Sequence, residues 1–326
     1  MGTRDTPVAA QELNETKAAH PETPAAPRQR RRFHFYCLTI ALVPALAVAA
    51  SFFIGRSSWY IRHQRNSYLA ISDYSFTLTG QNCEVVIYGD SSALTGVAPH
   101  VIEAATGLRA CNIAQPNTAL AVVGTFALDS YLARNAAPRF LIFQFTAPNF
   151  SPLDWTTHLY EEGALQIVRH KLDRQTLALF ARHPIESLDF SQFILRTALF
   201  ARNRTTAIYD RAWADVESSH GLFTVPSGPL AACVGPLEVR PPDSAWIGAL
   251  RARYSRQGTR VFIYVAPYPE CDGSFVYYSD RLAHLADNPL QRFPIGLFNE
   301  QNHFTREGAE VNSRRIADDI VAALDP

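Results

Sequence analysis

The sequence predicts an α/β protein with a parallel sheet and a helical insertion, preceded by one transmembrane helix. Short apolar strands alternate with helical segments at the spacing typical of parallel-sheet crossovers. Residues 151–243 interrupt this alternation, and much of that stretch has apolar residues at helical spacing. Residues 33–54 form an almost uninterrupted apolar run behind a block of arginines, and about 20 such residues span a bilayer as a helix.

The N-terminal segment predicts how the chain sits in a membrane. Residues 1–27 are rich in Ala, Pro, Thr and Glu without an apolar period, and with the arginine block that follows they predict a disordered tail over 1–32. Four arginines within 28–32 precede the apolar run, so the positive-inside rule keeps the tail in the cytoplasm. We therefore expect a single-pass protein of the inner (cytoplasmic) membrane whose domain is periplasmic or extracellular.

The apolar segment has other interpretations. The small residues of "AVAAS" at 47–51 could form the cleavage site of a removed signal peptide. The "RRRF" of 30–33 is similar to a twin-arginine signal. A buried core helix is a further possibility. An uncleaved anchor over 33–54 is favoured, because the segment before it is long and the apolar run continues past the cleavage site.

The remaining chain divides into a connector, 55–80, and a domain, 81–326. The connector is expected to be short and exposed, with Trp59 and Tyr60 at the membrane interface. Strands are predicted over 84–88, 109–114, 139–147 and 259–267, and helices over 98–107, 118–135, 243–257 and 305–324. The last helix is amphipathic, with Ile316, Ile320 and Ala323 along one face.

The insertion, at about 151–243, combines apolar helical spacing with basic residues and ends in a loop-like stretch over 221–243. Its basic side chains could face anionic lipid or an acidic polymer, although a solvated helix surface is the favoured interpretation. They are Arg169, His170, Lys171, Arg174, Arg182, His183, Arg196, Arg202 and Arg204.

The overall charge excludes a strongly basic domain. The chain has 30 basic and 30 acidic side chains, so no nucleic-acid partner is expected. No Cys/His cluster has the spacing of a metal site, and we expect no metal and no organic cofactor.

Four cysteines follow the apolar segment, which itself contains Cys37. Cys83 and Cys111 each open an apolar segment, so their side chains could meet if those segments are neighbouring parallel strands. Cys233 and Cys271 would then be left to pair, as an extracytoplasmic location permits. The alternative is four free buried thiols.

The predicted sheet indicates where a site would lie. Parallel sheets bind ligands at the carboxyl ends of their strands. The residues that follow the four strands are therefore expected to converge, namely 89–91, 115–117, 148–149 and 268–269. Among them Ser91, in a Gly-Asp-Ser turn, can present a hydroxyl there, but a serine is a weak nucleophile without an adjacent base.

His303 is the candidate base. It lies in "FNEQNHFTREGAE", a predicted loop that leads into the last helix, whereas most other histidines after the span lie in the connector or on helix surfaces. Glu300 stands three residues earlier, where its carboxylate can bind the imidazole Nδ1–H. Ser91, His303 and Glu300 are thus the predicted catalytic residues.

These residues resemble the SGNH/GDSL hydrolase superfamily, through "YGDSS" after the first strand and "ExxHF" before the last helix. The resemblance implies a flavodoxin-like three-layer α/β/α sandwich and covers about 83–324. It also implies an oxyanion site that includes Asn149 in "FTAPNF" and a backbone N–H near Ala114 in "CNIAQPN". The chain departs from the pattern at Ala114, where glycine is usual, and at Glu300, where aspartate is usual.

The resemblance implies an acyl-ester hydrolase or an O-acyltransferase. One N-terminal span with an extracytoplasmic domain is similar to proteins that acetylate exported polysaccharides, whose partner is a membrane-bound O-acyltransferase. A carbohydrate or another cell-envelope polymer would then be the substrate. Two alternatives remain: an inactive subunit of this family that binds polymer or scaffolds a membrane complex, and a nucleotide- or flavin-binding domain, for which no glycine-rich phosphate loop is present.

Overall fold

A computed structural model describes residues 27–116, 121, 124–151, 161–201, 204–233, 239–255, 258–300 and 302–324. It contains two compact units, Met1–Leu46 and Ala47–Pro326. Most of the predicted N-terminal tail lies outside the described residues. Its last residues are helical rather than disordered, because helix α1 already begins at Pro27.

Helix α1, Pro27–Arg56, contains the predicted span. Its stretch Arg31–Arg56 is long and apolar enough to cross a membrane, a test that a signal sequence near the N-terminus also passes. Pro44 lies inside this helix, and transmembrane helices tolerate proline because neighbouring groups satisfy the freed carbonyl. The orientation of the helix and the identity of the membrane stay predictions.

Four parallel strands form the main sheet, in the order β2-β1-β3-β4. They are β1 Val85–Gly89, β2 Ala110–Asn112, β3 Phe140–Phe145 and β4 Arg260–Val265. The sequence predicted all four, to within a few residues at their ends. Every residue of β1 and β3 is buried, as is typical of the central strands of a parallel sheet.

Six helices accompany these strands. They are α4 Ser91–Gly96, α5 Pro99–Thr106, α6 Phe126–Leu132, α11 Ser244–Tyr254, α12 Phe275–Leu282 and α13 Arg306–Leu324. Four of them, α5, α6, α11 and α13, lie where the sequence predicts a helix. Helix α6 covers the end of the predicted helix 118–135, whose residues 117–120, 122 and 123 are not described. On α13 Ile316 and Ile320 are buried, so its apolar face packs inward.

Short elements close the C-terminal part of the fold. They are β5 Tyr268–Pro269, β6 Arg292–Phe293, β7 Phe298–Glu300, β8 His303–Phe304 and the 3-10 helices Ala147–Phe150 and Ile295–Leu297. Strands β7 and β8 pair antiparallel. The segment predicted as a loop before the last helix is therefore two paired strands.

The expectation of an exposed connector over 55–80 is wrong. This segment forms helices α2, Ser58–Arg62, and α3, Tyr68–Thr77, and α3 is buried from Leu69 to Phe76. Tyr60, expected at the membrane interface, is also fully buried. The reason is tertiary packing, because α3 lies against α6 and against helices of the insertion.

The insertion is helical, as predicted. Its helices are α7 Glu161–His170, α8 Arg174–Arg182, α9 Pro184–Ala201 and α10 Ala207–Ser218. The described residues of the predicted loop, 221–233 and 239–243, contain neither helix nor strand. Residues 152–160 and Arg202 lie outside the described residues.

A buried carboxylate joins the connector to the insertion. Asp73 on α3 accepts hydrogen bonds from Arg169 Nε at 2.8 Å and Tyr209 Oη at 2.9 Å, and it lies 2.7 Å from His170 Nε2. Burial alone would raise the pKa of Asp73, but the hydrogen bonds and charges of His170 and Arg169 outweigh burial and lower it. Arg169 and His170, predicted as outward-facing basic residues, are thus turned towards this carboxylate.

Two disulfides link the cysteines of the second unit. Cys83 pairs with Cys111, with 5.9 Å between their Cα atoms, and Cys233 pairs with Cys271, with 6.1 Å between theirs. This is the pairing that the sequence predicted. The first bond forms because β1 and β2 are neighbouring parallel strands, which brings the starts of the two segments together. Cys37 is a free cysteine.

Candidate functional site

The site is built where β1 and β3 end side by side. Gly89 closes β1 opposite Gln144, and a Cβ at Gly89 would lie 1.8 Å from the Gln144 carbonyl oxygen. Only glycine fits this approach. The next residue, Asp90, is the N-cap of helix α4, and its carboxylate accepts the N–H of Ser92 at 2.9 Å.

The Asp90 carboxylate connects the ends of the two strands. Its Oδ1 accepts the N–H and hydroxyl of Ser92, and its Oδ2 accepts the N–H and hydroxyl of Thr146 together with the side-chain amide of Asn149. Asp90 is fully buried. Because a buried charge requires such donors, this arrangement locks the start of α4 onto the segment that follows β3.

Ser91 is the first residue of α4 and is half-buried, whereas Ser92 is fully buried. No described group accepts the N–H of Ser91, as is usual at the first position of a helix. Ser91 can therefore offer both a hydroxyl and a free N–H at the strand end. The sequence predicted this location for the hydroxyl.

Three buried amide side chains hold helix α4, and sequence reasoning did not identify them. Asn112 donates to the carbonyls of Ala93 and Val97 at 2.8 and 2.9 Å. Gln144 donates to the carbonyl of Ser92 at 3.1 Å, and Asn312 on α13 donates to Gly96 O and Gln144 Oε1. The sequence feature that could have identified them is a polar residue inside an apolar strand or on the buried face of a helix.

Glu300 and His303 face each other across the β7–β8 pair. The Nδ1 of His303 lies 2.7 Å from Glu300 Oε2, as the sequence predicted for this carboxylate. The side chain of His303 is 15% exposed and that of Glu300 is 56% exposed, so the carboxylate holds the ring from the solvent side. A carboxylate can only accept here, so this contact assigns the proton to Nδ1 and Nε2 as the nitrogen with a free lone pair.

Strand β8 lies directly on helix α4. Thr95 Oγ1 donates to the Ser91 carbonyl at 2.9 Å and accepts the N–H of Phe304 at 3.3 Å. A Cβ at Gly96 would lie 2.5 Å from the Phe304 ring, so the absence of a side chain there allows the close approach. One hydroxyl thus links Ser91 to the residue next to His303.

The remaining nitrogen of His303 has no hydrogen-bond partner among the described residues. Nε2 is buried, and the ring makes no hydrogen bond to Ser91 Oγ. A buried polar atom without a partner is uncommon in folded proteins and is frequent where a reacting group is to be bound. Catalytic hydrogen bonds are often long or absent before a ligand binds, and the pairing of Ser91 with His303 stays a prediction.

The predicted oxyanion donors are engaged elsewhere. The N–H of Ala114 donates to Asn112 Oδ1 at 3.0 Å. The amide of Asn149 donates to Asp90 Oδ2 at 2.6 Å and to Thr146 Oγ1 at 2.9 Å. Oxyanion binding at either position requires one of these bonds to open, so both roles stay predictions. Asn117, the end of the predicted segment 115–117, lies outside the described residues.

Two tyrosines that the sequence analysis did not single out as functional lie near the site. Tyr268 follows β4 and is buried, and burial raises the pKa of its phenol against the opposing effect of the Ser274 side chain. Tyr68, at the start of α3, is exposed, and burial of its phenol and the charge of Glu300 raise its pKa. Tyr68, on the segment predicted as a connector, therefore lies within electrostatic range of the carboxylate that holds His303.

Within the described part of the chain, no group of three or more His, Cys, Asp or Glu side chains could hold a metal ion. Comparisons of the chain with protein-family models, with curated proteins and with solved structures found no match.

Proposed function

We propose that this chain is a membrane-anchored, extracytoplasmic serine esterase or O-acyltransferase of SGNH type. The observation that carries the proposal is the state of His303. Its Nδ1 is held by Glu300, its Nε2 is buried without a partner, and its strand is bonded to the helix that Ser91 begins. A serine nucleophile needs an adjacent base that is held in place and has a nitrogen free to take the hydroxyl proton.

In the proposed reaction, Ser91 Oγ attacks the carbonyl carbon of an acyl ester while its proton passes to His303 Nε2. The carbonyl electron pair moves to oxygen, and the free N–H of Ser91 stabilises that charge. His303 then returns the proton to the departing alkoxide, which leaves an acyl group on Ser91. Water or a sugar hydroxyl takes that acyl group by the same steps in reverse, as in a hydrolase or a transferase respectively.

The fold supports the assignment. The strand order β2-β1-β3-β4 is the order of the first four strands in flavodoxin-like sheets, so we infer a flavodoxin-like three-layer α/β/α sandwich over 81–326. In such sheets ligands bind at the carboxyl ends of the strands, where Ser91 lies.

The proposed location is the outer side of the inner membrane, with the N-terminus in the cytoplasm. The arginines that precede the apolar run support it. The two disulfides support it as well, because disulfides persist in oxidising compartments. In this setting the substrate is a carbohydrate or cell-envelope polymer, and a membrane-bound O-acyltransferase is the proposed partner.

A fluorophosphonate probe tests the proposal. The full chain in detergent should be labelled, and labelling should be lost in Ser91→Ala but kept in Ser279→Ala, a matched serine on α12. Equal labelling of the two variants would refute Ser91 as nucleophile. To separate the two reactions, an aryl acetate and an oligosaccharide are supplied together. Acetylated sugar indicates a transferase, and free acetate alone indicates an esterase.

The second candidate function is an inactive subunit of the same type, which binds polymer or scaffolds a membrane complex. It is favoured by the bonds of Ala114 and Asn149, which occupy two of the three predicted oxyanion donors. A folded wild-type chain that the probe does not label would support this function.

A further inference from the structure

Beyond α1, exposed apolar side chains concentrate on helices α8 and α9 of the insertion. Leu177 belongs to α8, and Ile185, Leu188, Leu199 and Phe200 belong to α9. Ile185 is 71% exposed and Leu199 is 78% exposed, whereas large exposed apolar residues after α10 are isolated. We name these five residues the α8–α9 apolar surface.

This surface is not needed to fold the insertion. Helix α9 already buries a separate face, formed by Ser187, Phe190, Ser191, Ile194 and Ala201. Phe190 and Ile194 belong to the core that this face makes with α2, α3 and α7. Apolar residues on both sides of a helix indicate a second apolar environment outside the folded unit.

The final turns of α1 pack against the same two helices. Ser51 donates its hydroxyl to Ser191 Oγ at 3.0 Å. The ring of Phe52 lies 5.2 Å from that of Phe180 on α8 and 5.9 Å from that of Phe190 on α9. These α1 residues belong to the stretch that is long and apolar enough to cross a membrane. Helices α8 and α9 therefore pack beside the C-terminal end of the stretch proposed to cross the membrane.

The charges of α8 and α9 favour a lipid surface over an acidic polymer as the binding partner. The charged side chains of α8 and α9 are Arg174, Arg182 and Arg196 against Glu186 and Asp189, which nearly balance. Among the basic residues that precede α8, Arg169 and His170 are bound to Asp73, and Lys171 forms an ion pair with Asp173. Little positive charge remains to attract an anion, so the burial of apolar surface must provide the binding.

We propose that α8 and α9 lie in the interface of the bilayer that α1 crosses, with the α8–α9 apolar surface inserted among the lipids. The insertion is then a second membrane contact, which fixes the orientation of the domain above the bilayer. This proposal rests on α1 as a span and does not depend on the chemistry proposed for Ser91.

Depth-dependent quenching tests the contact on the full chain. Cys37→Ser removes the free thiol, and Leu188→Cys or Leu199→Cys then introduces one site for an environment-sensitive fluorophore. Val276→Cys is the matched control, because Val276 is an exposed apolar residue on α12. Each labelled protein is reconstituted into phosphatidylcholine vesicles with or without lipids that carry a nitroxide high on the acyl chain, and equal thermal midpoints confirm that the variants fold.

We expect the nitroxide lipids to quench labels at 188 and 199 several-fold more than the label at 276. Quenching should persist in 1 M NaCl and without anionic lipid, since apolar burial provides the binding. Equal quenching at all three positions would overturn the proposal. The proposal would also be overturned if the labels at 188 and 199 were shielded from water but unaffected by nitroxide lipids. Self-quenching of these labels between copies would then indicate that a second copy of the chain covers the surface.

Discussion

The side-chain amide of Asn149 donates to the carboxylate of Asp90 at 2.6 Å, across the ends of β1 and β3. The same amide nitrogen donates to Thr146 Oγ1 at 2.9 Å. Asn149 is therefore a structural residue in the unliganded site. If it also binds an oxyanion, it must exchange one of these partners during the reaction.

Replacing Asn149 separates these two roles. Asn149→Ala should lower the free energy of unfolding by about 1–3 kcal/mol, because a buried charged group loses a donor. It should also lower kcat for an aryl acetate by about 10²–10³ if the amide stabilises the oxyanion. Thr146→Ala is the control, since it removes another donor to the same Asp90 oxygen. Equal rate losses in the two variants would leave Asn149 with its structural role alone.

Glu300 should affect the rate without affecting stability. Glu300→Gln keeps the size of the side chain but can present an N–H to Nδ1, which favours the wrong tautomer of His303. We expect kcat to fall by roughly 10²–10⁴, with an unchanged thermal midpoint because Glu300 is largely exposed. Steady-state kinetics with an aryl acetate measure the change. The control is Glu217→Gln, on the exposed end of α10, which should retain full activity. A Glu300→Gln variant as active as the wild type would contradict the proposed role of Glu300.

A methyl group at Gly96 should separate His303 from Ser91. Gly96→Ala places a Cβ 2.5 Å from the Phe304 ring and would push β8 off α4. We expect a loss of about 1–3 kcal/mol in the free energy of unfolding, together with a loss of probe labelling at Ser91. The control is Gly248→Ala on α11, where the new Cβ meets nothing within 4 Å and the change should stabilise slightly. Full labelling of a folded Gly96→Ala would show that this contact does not position His303.

The buried Asp73 should make the free energy of unfolding depend on pH in the acidic range. Its folded-state pKa is lowered, so its ionised form stabilises the fold fully above the unfolded value of about 4 and loses this effect as pH falls through the folded value. Asp73→Asn should cost about 3 kcal/mol at pH 7, because Arg169 loses a buried charged partner.

Thermal midpoints from pH 7 down to pH 3 measure this dependence. The difference between wild type and Asp73→Asn should narrow as the solution is acidified. Asp215→Asn, an exposed carboxylate on α10, should follow the wild type throughout. A difference that stays constant down to pH 3 would contradict the proposed ionisation of Asp73.

The parallel strands were predictable because burial on both faces makes them continuous apolar runs, as in "VVIYG" and "FLIFQF". The contact between Glu300 and His303 was predictable because their spacing is short. In contrast, α3 is buried by helices distant in sequence, and its own pattern did not show this. The same holds for Asn112, Gln144 and Asn312, because a buried amide is tolerated only where the fold supplies its partners.

The hydroxyl of Thr95 joins the carbonyl of Ser91 to the N–H of Phe304, although the two outer residues lie in opposite halves of the chain. During synthesis the proposed nucleophile emerges long before its proposed base. Under the proposed function, reactivity would begin only after the segment before the last helix has docked, so a partly synthesised chain would carry an unreactive serine. Loss of the C-terminal piece from His303 onwards would remove the proposed base and α13, although all four strands of the main sheet precede it in the chain.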